Sequence, residues 1–249
     1  MQIRPGLEVA SLTDVGCHRE NNEDYFTYWE PEGEEEFARK GRLAVVADGM
    51  GGYEGGQEAS RLAVETILEI YSGDEVSDPQ AALLTSLETA HERIRTYGDQ
   101  HPQLHGLGTT CTAVAMNGKS LYFAHVGDSR LYMVRGSKIS RLTKDHSAEN
   151  HPQRHILTAA LGTLVPPAAD FPLSPVELED KDVLVLCTDG LWGQVQEEEL
   201  AQVVGSNNPS EACHALVGMA KERGGPDNIT VQVLRLCWNG SQHSANAAT

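Results

Sequence analysis

Two stretches of the chain are apolar without alternation and end in Asp-Gly: Leu43-Ala-Val-Val-Ala-Asp-Gly49 and Val183-Leu-Val-Leu-Cys-Thr-Asp-Gly190. Short apolar runs closed by glycine read as strands buried on both faces. Around them, residues 7–12, 25–29, 109–116, 120–126, 129–135, 138–142, 176–178 and 228–236 also read as strands. Gly118 and Gly136 mark the tight turns of two hairpins. Helical spacing appears at 57–71, where Ala59, Leu62, Ala63, Ile67 and Ile70 share a face, and again at 79–97, with Pro79 in the first turn. Two more helices are predicted over 197–204 and 209–223. The order is strands, two helices, strands, two helices and a strand. That order predicts an α+β fold, two antiparallel sheets packed face to face with helices outside.

With 249 residues and 40% hydrophobic content, the chain suits one domain with a sizeable core. Residues 1–238 read as that domain and 239–249 as a disordered polar tail. The formal charge of −17 argues against nucleic acid or an anionic membrane as partner. Part of it comes from residues 30–36, whose five glutamates read as a solvated loop. The five cysteines are scattered with no C-x-x-C pair, which predicts free thiols, with Cys111 and Cys187 as small core residues. The N-terminus lacks an apolar signal and no run is long enough to span a bilayer. A cytoplasmic, monomeric protein is expected.

The acids at strand ends carry the chemistry. Asp48, Asp189 and Asp227 each border an apolar strand and a glycine turn, and Asp128 sits in a similar Gly-Asp context. Any one of them could be a turn or cap residue. Gathered at one sheet edge, they would repel one another unless one is protonated or a cation neutralises them. An all-oxygen set selects Mg²⁺ or Mn²⁺ over Zn²⁺, and Gly49 is placed to offer a backbone carbonyl. Two such ions suit in-line displacement at phosphorus. Arg19, in the polar turn after the first strand, is the candidate for the phosphate.

These phrases, in order, make the sequence similar to bacterial members of the type 2C metal-dependent Ser/Thr protein phosphatases. The matching residues are Asp14-Val-Gly16, Arg19-Glu-Asn-Asn-Glu-Asp24, Asp48-Gly-Met-Gly-Gly52, Gly108-Thr-Thr110, Val126-Gly-Asp-Ser-Arg130, Leu142-Thr-Lys-Asp-His146, Thr188-Asp-Gly-Leu-Trp192 and Asp227-Asn-Ile-Thr230. The resemblance implies a four-layer α-β-β-α sandwich and hydrolysis of phosphoserine and phosphothreonine in substrates of a Ser/Thr kinase. It further implies that Asp48 bridges two metals, that the Gly49 carbonyl binds one, and that Asp189 and Asp227 complete the pair. Asp24, with Glu23 beside it, would support the shell directly or through water. Asp128 would hold a weaker third ion and Arg19 the phosphate.

Two departures from the family pattern stand out. Met50 replaces the His that eukaryotic relatives carry after Asp-Gly, and a thioether transfers no proton. The proton donor must then be water at the metals or another group, with His18 and His146 the nearby histidines. The stretch about 143–160 is also short where bacterial relatives insert a helical flap, so a reduced flap and a more open cleft are expected. Two other functions fit the same residues: a phosphoprotein-binding relative without activity, which would ordinarily lack the acids kept here, and a phosphatase of small phosphoesters.

Overall fold

A computed structural model describes residues 3–51, 53–73, 76–104, 106–147 and 157–238. In chain order the elements are β1 (Leu7–Asp14), β2 (Asp24–Trp29), α1 (Glu34–Lys40), β3 (Arg42–Met50), α2 (Tyr53–Ser72), α3 (Pro79–Gln100), β4 (Gly108–Thr109), β5 (Cys111–Asn117), β6 (Ser120–Val126), β7 (Arg130–Arg135), β8 (Lys138–Arg141), β9 (Val176–Glu177), β10 (Val183–Cys187), α4 (Asp189–Trp192), α5 (Glu197–Ser206), α6 (Pro209–Glu222) and β11 (Ile229–Leu236). One sheet runs β1-β11-β10-β7-β8. The other runs β2-β3-β5-β6-β9, with β4 added beside β3. Every pairing is antiparallel.

The unbroken apolar runs have their reason in the layers. Along β3, Leu43, Val45 and Ala47 pack with Ile67, Leu83, Leu87 and Ile94 of the helices, while Ala44 and Val46 face the other sheet. On β10, Val183, Val185 and Cys187 lie under α5 and α6, and Leu184 and Leu186 enter the inter-sheet core. A period of two with both faces covered leaves no polar position. Three apolar cores thus separate four layers, the α-β-β-α sandwich the sequence predicts. Between the sheets, fully buried Gln232 on β11 donates to Thr27 O of β2 at 3.1 Å.

Three expectations change. Residues 30–36 are solvated only in part, since residues 32–35 are exposed but Glu30 is not and Glu34 already belongs to a helix. Glu30 is buried, paired with Arg42 at 2.9 Å and accepting from Tyr28 Oη at 2.8 Å. Its neighbours begin α1, where three glutamates in the first turn and Arg39 and Lys40 in the last suit the helix dipole. The strand expected through 109–116 divides into β4 and β5 at Thr110. The strand expected to reach Asp189 stops at Cys187, and Asp189 opens the single turn α4.

All five cysteines are free thiols, with Cys111 and Cys187 buried. Residues 148–156, within the expected flap, and the tail 239–249 lie outside the described residues. The described sides of the flap region meet at an isolated bridge between Ser147 and Leu157.

Candidate metal centre

Antiparallel pairing brings five chain segments to one end of the sandwich. Asp24, the first residue of β2, lies in register with Asp48 near the end of β3. In the other sheet β10 ends and β11 begins at the same edge, with Cys187 opposite Val231. This places Asp189 beside the turn carrying Asp227. The link between β6 and β7 supplies Asp128. Five acids scattered over two hundred residues therefore share one cleft.

Their electrostatics record the proximity. Burial first, then Asp24, Asp189, Asp128 and Asp227, push the Asp48 carboxyl well above the usual carboxylate range. Asp24 is shifted the same way by burial, partly offset by hydrogen bonds from Thr230 and Thr188. Asp128 is pushed up to about 7, by burial and then by Asp189. Like charges in a desolvated site are unfavourable until a cation neutralises them.

The donor set fits a hard divalent ion. Asp24 Oδ2 accepts from Thr188 Oγ1 at 2.9 Å, but its Oδ1 is buried with no hydrogen-bond partner among the described residues. An acceptor in that condition is unusual without a ligand or water. Among the described residues no three His, Cys, Asp or Glu side chains close into a shell able to hold an ion by themselves. Mg²⁺-type ions use one or two carboxylates and fill the remaining positions with water and substrate oxygens. The cleft offers dispersed carboxylates rather than a protein cage.

Gly49 is required by its surroundings. A Cβ there would stand 2.0 Å from Gly56 O and 2.7 Å from Glu23 O. The Gly49 amide donates to Glu23 O at 3.0 Å. Close backbone approach of this kind lets a carbonyl share a site with side chains.

Several residues hold the acids in place. The Asp48 amide donates to Thr110 Oγ1 at 2.9 Å, and the Asp48 carbonyl accepts from the Thr110 amide at 2.9 Å. Thr188 Oγ1 accepts from the Thr230 amide at 3.0 Å while donating to Asp24. Asn228 ties down the Arg19–Asp24 turn: its Oδ1 accepts from the Glu23 amide, and its Nδ2 donates to Val15 O and Asn21 O. Trp192 Nε1 donates to Asp128 O at 2.9 Å. Arg130 stacks 3.6 Å from the Trp192 ring and forks onto both oxygens of Asp145. The sequence phrases contained Thr110, Thr188, Trp192 and Asn228 but gave them no role. Their signal was only adjacency to an acid.

Arg19 reaches the cleft, and its Nη2 contacts Asp227 Oδ2 at 2.7 Å with the side chain half exposed. Glu23 joins the group more closely than expected. Its carboxyl is pushed up by burial and by Asp227, against the lowering effect of Arg19. His18 is exposed. His146 is engaged elsewhere, with Nε2 3.1 Å from Asp170 Oδ2 and Nδ1 accepting from the Gly127 amide at 3.3 Å. Neither histidine has a place among the acids.

Comparison with known proteins identifies the family. A family model described as protein phosphatase 2C matches residues 18–218. Protein phosphatase PhpP of Streptococcus pneumoniae serotype 2 is 33% identical over 250 residues, covering 92% of this chain and 98% of that protein. Among solved structures, a serine/threonine phosphatase of S. agalactiae superposes with a TM-score of 0.83 at 32% identity, over 92% of this chain and 99% of that one. The catalytic domain of the serine threonine protein phosphatase PstP in complex with two manganese ions superposes with a TM-score of 0.78 at 30% identity, over 93% and 99% of the chains.

Proposed function

Because the chain belongs to the protein phosphatase 2C family, we propose that the acids at its sheet edge seat two divalent cations and that Arg19 holds the phosphate of the substrate. The protein is a metal-dependent protein serine/threonine phosphatase, a hydrolase acting on phosphoproteins. The observation that carries the site assignment is the pairing of Asp24 with Asp48 at the sheet edge, with Asp24 Oδ1 buried and without a hydrogen-bond partner among the described residues.

Asp48, central among the acids, would be the carboxylate shared by the two ions, and the Gly49 carbonyl, Asp189 and Asp227 would hold them with it. Asp24 offers its unpartnered Oδ1, directly or through water. When bound, the cations supply Lewis-acid polarisation of the phosphoryl group and lower the pKa of water at the site. Arg19 grips phosphate oxygens in a planar fork, and its contact with Asp227 aims it across the cleft. Thr110 fixes the Asp48 backbone and Thr188 the Asp24 carboxylate before charge builds on the phosphoryl oxygens, which is preorganisation. Met50 moves no proton, so the leaving serine or threonine oxygen takes its proton from water or another group.

Further parts of the reading are that Mg²⁺ can replace Mn²⁺, that Asp128 holds a weaker third ion, and that the enzyme acts as a cytoplasmic monomer in signalling opposite a Ser/Thr kinase. No helix among the described residues is long and apolar enough to cross a membrane, and the net charge of −17 disfavours nucleic acid as partner. The test is phosphate release from phosphoserine and phosphothreonine peptides with Mn²⁺, Mg²⁺ or EDTA, repeated with Asp189→Ala. Activity should need the metal and fall by about three orders of magnitude or more in the variant. Activity surviving both treatments would sink the assignment.

A further inference from the structure

Asp128 lies in the short link between β6 and β7, and hydrogen bonds fasten each residue of that link. Ser129 O accepts from Thr112 Oγ1 at 3.1 Å, and the Ser129 hydroxyl lies 2.7 Å from Thr110 Oγ1. Asp128 O accepts from Trp192 Nε1 at 2.9 Å. Gly127 has no side chain to brace it and admits none: its φ is +107°, and a Cβ would stand 2.5 Å from Thr110 Cβ. Its support is His146. The Gly127 carbonyl accepts from the His146 amide at 2.7 Å, and the Gly127 amide donates to His146 Nδ1 at 3.3 Å.

A ring nitrogen that accepts carries no proton, so the proton of the His146 imidazole is on Nε2. Asp170 Oδ2 lies 3.1 Å from that nitrogen and accepts from it. Asp170 is itself held by the strand that leads into the link, since its amide and carbonyl pair with those of His125 on β6 at 2.9 Å each. Asp145, next to His146 in the chain, is committed to the fork of Arg130. The contacts therefore close on themselves, from His125 through Asp170 and His146 to Gly127, one residue before Asp128.

We propose that Asp170 and His146 are a positioning pair for Asp128. The Asp170 carboxylate holds the ring in the tautomer whose bare Nδ1 can accept from Gly127, and that contact sets where the Asp128 carboxylate stands in the cleft. The inference rests on the reading of Asp128 as a ligand of the weaker ion, and it adds what the place of that ligand depends on. His146 touches no reacting group and acts only through the backbone of the link. Groups that orient a metal-binding side chain in this way change metal affinity by roughly 10–100-fold when they are replaced. A contact that served the fold alone would lower Tm and leave the weak ion as it was.

The test is calorimetric titration of Mn²⁺ into the metal-stripped full chain, with Tm in EDTA measured on the same samples. His146→Gln puts an amide near the Nε2 position, where it reaches Asp170 but leaves the Gly127 amide without an acceptor. His146→Asn puts its Oδ1 near the Nδ1 position, where it accepts from Gly127. The first variant should weaken the weak Mn²⁺ event by about tenfold with the tight events unchanged, and the second should recover most of that loss. Asp170→Asn, which can hold the ring in either tautomer, should give a smaller loss in the same direction. A weak event unchanged in His146→Gln or in Asp170→Asn, an equal loss in the Gln and Asn variants, or a loss shared by the tight ions would each overturn the pair. Should His146→Gln fail to fold, Asp170→Asn alone decides. Asp128→Asn controls the site itself: a wild type with no weak event, or a weak event that survives Asp128→Asn, would instead overturn the reading of Asp128 as a ligand.

Discussion

Asp24 and His125 are both buried titratable groups, and their surroundings give them opposite tasks. Asp24 keeps one oxygen bonded to Thr188 and one without a partner, the condition of a ligand. His125 is fully buried and satisfied: Nδ1 lies 2.9 Å from Thr112 Oγ1 and Nε2 lies 3.1 Å from Lys144 O. Burial, then the neighbouring His146, lowers its pKa to about 4. The unfolded chain takes up a proton near pH 6.5 that the folded protein refuses until about pH 4, so stability falls as pH drops through that window. The loss should approach roughly 3 kcal/mol at the acid end. The acids of the cleft titrate with the opposite sign, since a raised carboxyl pKa favours the folded state on protonation. The measurement is therefore the urea midpoint of wild type minus that of His125→Asn, followed from pH 7.5 to 4.5. The difference should shrink as pH falls, and a constant difference would contradict the assignment of His125 as a buried neutral group.

At the scale of elements, the caps explain where helices begin more sharply than the hydrophobic pattern does. Asn208 Oδ1 accepts from the Glu211 amide at 3.0 Å, the Glu211 carboxylate accepts in turn from the Asn208 amide, and Pro209 opens the helix. The spacing of Ala212, Leu216 and Ala220 set the buried face of α6, and this box fixes its start. Asn208→Ala should cost about 1 kcal/mol, or a Tm lower by about 2–4 °C, without changing kcat. A fall in kcat with Tm unchanged would mean that α6 reaches the reaction centre. The helix α1 escaped the pattern because its charge reads as solvated loop. What stabilises that region is tertiary: the guanidinium groups of Arg4 and Arg42 lie 4.7 and 4.9 Å from the centre of the Phe37 ring.

For the whole molecule, gathering five acids at one sheet edge sets stability against function. Mn²⁺ at one hundred times its Kd should stabilise the protein by about 2.7 kcal/mol per site, raising Tm by about 5–10 °C. Asp48→Asn should raise the Tm measured in EDTA, because a central repelling charge is gone, and remove most of the Mn²⁺-dependent gain. A variant that keeps the full gain would show that Asp48 does not bridge the ions. Much of this was legible in the chain itself. Apolar runs closed by Asp-Gly identified buried strands and the acids at their ends, because a strand covered on both faces favours apolar residues along its whole length until it leaves the core. The helices of the outer layers were legible from their spacing for the same reason. The tertiary structure alone decided what is non-local. It set Asp24 opposite Asp48 in register, brought Thr188 to Asp24 across 164 positions of sequence, and buried Glu30 against Arg42. Local pattern reports which face of an element meets apolar surroundings, whereas the partners on that face are set by how the two sheets pair and pack.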